Sequence, residues 1–126
     1  RRAEAGAPFP TVISCDNLPE NGARLRSAVI ALAERIDPRL AERIASEGAF
    51  PSTMVDRIVP ATTPADLDRF ADETGLFDAA LVRTEPFSQW VIEDRFAGPR
   101  PPWEKGGALI VADVKPFELA KLRLLN

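Results

Sequence analysis

The sequence predicts an α/β fold, and three observations carry that expectation. Short β-branched runs alternate with stretches of helical apolar spacing. The helical stretches open on capping residues and close on glycine or on an Asp-Pro pair. An apolar content of 45% over 126 residues is enough to bury one small core. The alternation implies a mostly parallel sheet with flanking helices, in one domain spanning 1–126.

Thr11-Val12-Ile13-Ser14-Cys15 reads as a buried strand, bounded by Pro10 and by Asp16-Asn17. Asn21-Gly22 starts a helix whose inner face is Leu25, Val29, Leu32 and Ile36. Asp37 stops that helix and caps the next, with Pro38 at its first position, Leu40 and Ile44 inside and Gly48 at its end. The segment from Thr53 to Val59 is a second strand. Thr63-Pro64-Ala65-Asp66 is a helix start of hydroxyl cap, proline and third-position acid, with Leu67 and Phe70 inward and Gly75 as the stop. Two β-like runs follow, Ala79 to Thr84 and Gln89 to Glu93. After the loop Gly98-Pro99-Arg100-Pro101-Pro102, Ala108 to Val111 is a last strand and Pro116 opens a last helix. That helix ends in an apolar run without a cap, and the chain has no initiator Met, so a piece of a longer protein is expected.

Composition removes several chemistries. One Cys and no His leave no plausible zinc site, and no metal site is expected; one Cys also forbids an internal disulfide framework. Without His there is no His-based triad, and without Tyr no Tyr/Lys proton-transfer pair. A net charge of -3 with no basic stripe argues against nucleic acid, and no apolar run is long enough to span a membrane. The start carries no hydrophobic signal segment, and with the lone Cys this gives a cytoplasmic expectation. Any chemistry must therefore use Lys, Asp, Glu, Asn or Ser.

Three groups stand where open α/β sheets bind ligands or at equivalent places: Asp16-Asn17, Asp56-Arg57 and Lys121. An Asn amide can donate to a developing oxyanion, and a desolvated Lys can accept a proton near neutral pH. Together they suit oxidation of an alcohol, with a nicotinamide as hydride acceptor. Each also has a plainer reading. Asp16 and Asn17 suit a turn bonded to its own backbone, and Asp56-Arg57 an exposed ion pair. Lys121 suits a solvated helix end, and Glu118 with Lys121 a helix-surface pair. Trp90 and Trp103 read as packing residues, and Cys15 as a small core residue.

Read together, four ordered blocks resemble the long-chain mannitol dehydrogenase family. They are Ser14-Cys15-Asp16-Asn17-Leu18-Pro19-Glu20-Asn21-Gly22, Thr53-Met54-Val55-Asp56-Arg57-Ile58-Val59-Pro60, Glu85-Pro86-Phe87-Ser88-Gln89-Trp90-Val91-Ile92-Glu93-Asp94, and Lys121-Leu122-Arg123-Leu124-Leu125-Asn126. The resemblance runs from about Thr11 to the end of the chain. It implies the second half of a Rossmann-type NAD-binding domain, ending where a helical substrate domain begins. It also implies a zinc-independent, NAD- or NADP-dependent polyol or sugar-acid dehydrogenase.

By the same resemblance Lys121 is the catalytic base, and Asn17 and Asn126 hold the reacting oxygen. Asp56 is an acid near substrate and nicotinamide, Val55 and Asn17 meet the cofactor, and Glu118 assists proton movement between Lys121 and solvent. On an ideal helix Lys121 and Asn126 stand about 140° apart, so both reach one cleft only across a broad face or a distorted helix end. The family's glycine-rich phosphate turn has no counterpart here, since Gly106-Gly107 precedes a strand. The chain alone is therefore expected to be inactive, with association to other copies or to the missing parts as one route to a site. A binding or interaction module without catalysis is the alternative.

Overall fold

The computed structural model describes residues 5–125. In chain order it comprises α1 (Asn21–Ile36), α2 (Pro38–Glu47), β1 (Thr53–Asp56), α3 (Pro64–Thr74) and β2 (Gln89–Glu93). A 3₁₀ turn (Trp103–Gly106), β3 (Leu109–Val111) and α4 (Lys115–Leu125) complete it. Two compact units are distinguished: the residues up to Val55 together with those from Gln89 onward, and Asp56–Ser88.

In the first unit, Asp37 performs both predicted tasks. Its N–H donates to Ala33 O at 2.8 Å, closing α1, and its carboxylate accepts the Arg39 N–H at 2.9 Å, opening α2 behind Pro38. The two helices pack through Ala33, Ala41, Ile44 and Phe50, with Leu25, Val29, Ile30 and Leu40 against them. Full burial of a side chain such as Ile44 or Phe50 is worth about 1.5–3 kcal/mol.

The predicted inner face of α1 is half right. Leu25 and Val29 face the core, but Leu32 is 62% and Ile36 72% exposed. Two helical stripes share Leu25 and Val29 and diverge by one residue afterwards. The stripe through Ala33 is buried because its small side chain lets α2 approach closely.

The sheet runs β1-β2-β3. β2 and β3 are parallel, with Val91 opposite Leu109, Ile92 opposite Ile110 and Glu93 opposite Val111. Val91 and Ile92 point to opposite faces and both are fully buried, so this sheet is covered on two sides. β1 runs the other way: the Glu93 N–H at the end of β2 donates to Ser52 O, just before β1, at 2.9 Å. The sheet is therefore mixed, which corrects the mostly parallel expectation. The segment between β1 and β2 is not a crossover but an excursion whose two ends meet, since Arg57 Nε donates to Phe87 O at 3.1 Å. Antiparallel neighbours need such a return, and its helix misleads a reading based on alternation alone.

Thr11–Cys15 also departs from expectation. Only Thr11 forms a bridge, parallel to Ala49, and Val12 N–H donates to Ala49 O at 3.0 Å. Further along, Ser14 O is taken by side chains, from Thr53 Oγ1 at 2.6 Å and Asn21 Nδ2 at 3.3 Å, so no ladder continues. Cys15 is exposed, not a core residue. Trp90 and Trp103 do pack, with ring centroids 5.6 Å apart, and Phe96 lies 5.8 Å from Trp103.

The second unit is organised around α3. Thr63 and Asp66 form a reciprocal capping box behind Pro64, and Gly75 closes the helix in the left-handed region with φ 72°. Leu67 and Phe70 are half-buried, as expected of the inner face. Ala79–Thr84 is irregular rather than a strand: Arg83 Nη1 reaches Asp66 Oδ1 at 2.6 Å, and Leu81 O accepts from Thr62 Oγ1 at 2.8 Å. Among the described residues, no helix is long and apolar enough to cross a membrane.

Candidate functional site

The site is built where the turn 14–19, β1 and α4 come together. α4 docks through Phe117, and through Val114 just before its first residue, onto Met54 and Val91. That contact fixes the rotation of the helix and brings Lys121, one turn further on, over the end of β1. Lys121 Nζ donates to Val55 O at 2.7 Å and to Asn17 Oδ1 at 2.9 Å. Asn17 and Lys121 are 104 residues apart in sequence. Lys121 is half-buried, so the solvated helix-end reading does not hold.

Around this clasp lies a groove of about 160 Å³, lined by Asp16, Asn17, Thr53, Val55, Glu118 and Lys121 among others. Complete small-molecule pockets run to about 300–1,000 Å³, so the groove is sized for part of a ligand. It can take a ring face or a hydroxyl-bearing carbon, not a dinucleotide.

Glu118 joins the same wall. Its Oε1 accepts the Glu20 N–H at 3.1 Å, and Lys115 Nζ stands 3.3 Å from Glu20 Oε1. Glu20 occupies the left-handed region with φ 53°, a conformation that costs a non-glycine residue about 1–2 kcal/mol. Two residues of α4 thus hold the strained corner that leads into α1. Asp56 ends β1, directly after Val55, and is half-buried. Arg57 donates to Phe87 O and Pro86 O, so its bonds are to backbone. Asn126 lies outside the described residues.

Sequence reasoning missed two residues. Asn21 and Thr53 are each 2% exposed and bonded to one another beneath the groove. Asn21 reads from sequence as a helix start, yet its side chain caps nothing. The usable signal is the pair Asn21-Gly22: Cβ atoms built on Gly22 would meet Phe50 O at 2.6 Å and Pro51 C at 2.7 Å, so α1 begins in backbone contact with the segment leading to β1. Among the described residues, no group of three or more His, Cys, Asp or Glu side chains is placed to hold a metal ion.

The chain as a whole is similar to several known proteins. The chain is 54% identical over 125 residues to the D-mannonate oxidoreductase of Escherichia coli, covering 99% of this chain and 26% of that protein. It is 49% identical over 129 residues to the mannitol 2-dehydrogenase of Aspergillus terreus, covering 100% of this chain and 26% of that one. Among solved structures, a D-sorbitol dehydrogenase in substrate-free form superposes with TM-score 0.91 at 43% identity, over 98% of this chain and 25% of that chain. The Pseudomonas fluorescens mannitol 2-dehydrogenase, in a ternary complex with NAD and D-mannitol, gives TM-score 0.84 at 48% identity, over 93% and 24%. The chain thus spans about a quarter of the length of the relatives it matches. The model of the mannitol dehydrogenase Rossmann domain matches residues 1–105, and the chain belongs to that family.

Proposed function

We propose that this chain is part of an NAD- or NADP-dependent, zinc-independent dehydrogenase that interconverts a secondary alcohol of a polyol or sugar acid with its ketone. The observation that carries this reading is the clasp of Lys121 on Asn17 and Val55. A neutral amine keeps two N–H groups, enough to go on donating to Asn17 Oδ1 and Val55 O. In its neutral form Lys121 is proposed to take the hydroxyl proton of the alcohol while those two bonds hold it in place. As that proton leaves, the carbon–oxygen bond becomes a carbonyl and the hydrogen on carbon departs with its electron pair. When bound, the nicotinamide supplies the acceptor for that hydride.

With its Oδ1 accepting from Lys121, Asn17 has amide N–H groups to offer the reacting oxygen, and Asn126 is proposed as the second donor. Glu118 is proposed to pass protons between Lys121 and solvent, and Asp56 to face the substrate. Val55 and Asn17 would hold the nicotinamide end of the cofactor. The groove fits that end alone, and no glycine-rich turn in the chain would hold the pyrophosphate. By itself the chain is accordingly proposed to be inactive, needing further parts of a longer protein or other copies to complete the site.

The test is turnover of the full-length protein that carries this chain, on a panel of polyols and sugar acids, followed by absorbance of the reduced nicotinamide. Lys121→Ala should lower kcat by about 10²–10⁴-fold, the usual contribution of a general base. Undiminished turnover in that variant would overturn Lys121 as the base, and no turnover of any substrate by the unsubstituted protein would leave a binding or interaction role as the better account.

A further inference from the structure

We propose that Asn21 and Thr53 act as a buried positioning pair that sets the spacing of Asn17 and Val55, both acceptors of Lys121. This rests on the dehydrogenase reading for its consequence in catalysis, but its geometry stands independently. The acceptors come from different segments: Asn17 from the turn before α1, Val55 from β1. Nothing in covalent connectivity holds those segments at one separation, so a tie between them is needed.

Asn21 supplies it with every polar atom engaged. The two hydrogens of its Nδ2 go to Asp16 O at 3.0 Å and Thr53 Oγ1 at 3.0 Å, with Ser14 O sharing one of them at 3.3 Å. Its Oδ1 accepts the Thr53 N–H at 2.9 Å. Thr53 Oγ1 in turn donates to Ser14 O at 2.6 Å. One amide therefore grips the carbonyl immediately before Asn17 and the strand residue two before Val55. Both side chains are 2% exposed, where unmade hydrogen bonds are costly and fully satisfied ones specify a single arrangement. Gly22 permits the grip, since any side chain there would push α1 off residues 50–52.

A residue acting through others should alter turnover and the state of Lys121, not merely stability. Thr53→Val keeps the shape of the side chain and removes the hydroxyl; Thr53→Ser keeps the hydroxyl. In the chain, the ¹³Cε resonance of Lys121 and the side-chain amide of Asn17 are followed by NMR across a pH titration. Ile44→Val, in the separate α1–α2 core, serves as a matched loss of stability.

Thr53→Val should displace both signals and shift the Lys121 titration, with Thr53→Ser and Ile44→Val close to the unsubstituted chain. In the full-length protein, Thr53→Val should lower kcat by about 10- to 100-fold, the scale expected of a misplacement of about 1 Å, with KM nearly unchanged. Should Thr53→Val fail to fold, Asn21→Asp gives the same test, because it keeps the acceptor for the Thr53 N–H and loses the amide donor. Signals and kcat that stay in place in a folded variant would reduce the pair to a structural role and overturn the proposal. An active Lys121→Ala protein would instead sink the assignment of Lys121 as the base, and an unsubstituted full-length protein inactive on every substrate would sink the dehydrogenase reading. The NMR coupling between Thr53 and Lys121 is judged separately from both.

Discussion

Gly22→Ala is the substitution whose effect the structure fixes most firmly, because two opposing terms can be compared. On propensity alone, alanine in a helix is favoured over glycine by about 1 kcal/mol. Against this stands a Cβ at 2.6 Å from Phe50 O, 2.7 Å from Pro51 C and 2.7 Å from Ser52 N. All three are backbone atoms, so no side chain can rotate away and α1 itself must retreat. Overpacking of this kind costs about 1–3 kcal/mol, and its upper end applies where backbone must move. Retreat also stretches the buried bonds from Asn21 to Thr53, each worth about 1 kcal/mol net. With those two bonds weakened by about half rather than lost, the balance is a loss of about 3 kcal/mol. Urea unfolding followed by far-UV circular dichroism reads it directly. With a slope of about 2 kcal/mol per molar, the midpoint should fall by about 1.5 M at unchanged slope. Gly98→Ala, where nothing lies within 4 Å of the new Cβ, should move stability by less than about 0.5 kcal/mol. A Gly22→Ala chain as stable as the Gly98→Ala control would refute the close approach on which the Asn21 grip depends.

Acid should weaken the first unit through Glu104. The two-pronged hydrogen bond from Arg100 holds its carboxyl at about 2, against an ordinary 4.5. A depressed folded value means the contribution is complete above about 4.5 and is lost as pH falls towards about 2. Melting temperature should decline through that window, and less steeply in Glu104→Gln; identical acid limbs would count against the pairing. Asp66 behaves alike below its ordinary 3.8, held down first by the Thr63 backbone N–H, then by the Thr63 hydroxyl. Self-association, motivated by the sheet edges that the outer strands β1 and β3 leave unpaired among the described residues, should appear in sedimentation at high protein concentration. A strictly monomeric species there would count against it.

Local chemistry was legible in the sequence wherever a few adjacent residues decide the outcome. Asp37-Pro38, Thr63-Pro64-Ala65-Asp66 and Gly75 each specify a helix end through their own side chains, and β2 matches its predicted run. What could not be read depends on partners distant in sequence. The direction of β1 follows from an excursion that returns to its own base, and the choice of Ala33 over Leu32 from where α2 docks. Thr11–Cys15 has strand composition, but the polar side chains of Asn21 and Thr53 claim Ser14 O before a ladder can form. Exposure of Cys15 follows from the same loss of strand.

Lys121 shows why periodicity should be counted through charged positions as well as apolar ones. Taken alone, a Lys near the end of a helix is most economically a solvated residue complementing the helix dipole. Yet Val114, Phe117, Glu118 and Lys121 fall at i, i+3, i+4 and i+7, the spacing of a single helix face. Val114 and Phe117 bury that face against Met54 and Val91, so the two charged residues at its far end are carried inward by the packing. A charged side chain on a buried stripe must find acceptors or donors there, and these do: Glu118 at the Glu20 N–H, Lys121 at Asn17 and Val55. The apolar half of the stripe supplies the rigidity and the polar half the chemistry. Phe117→Ala should therefore loosen the Lys121 clasp, although Phe117 accepts neither of the bonds to Asn17 and Val55. The ¹³Cε resonance of Lys121 and the side-chain amide of Asn17 should both move in NMR; unmoved signals would refute the coupling.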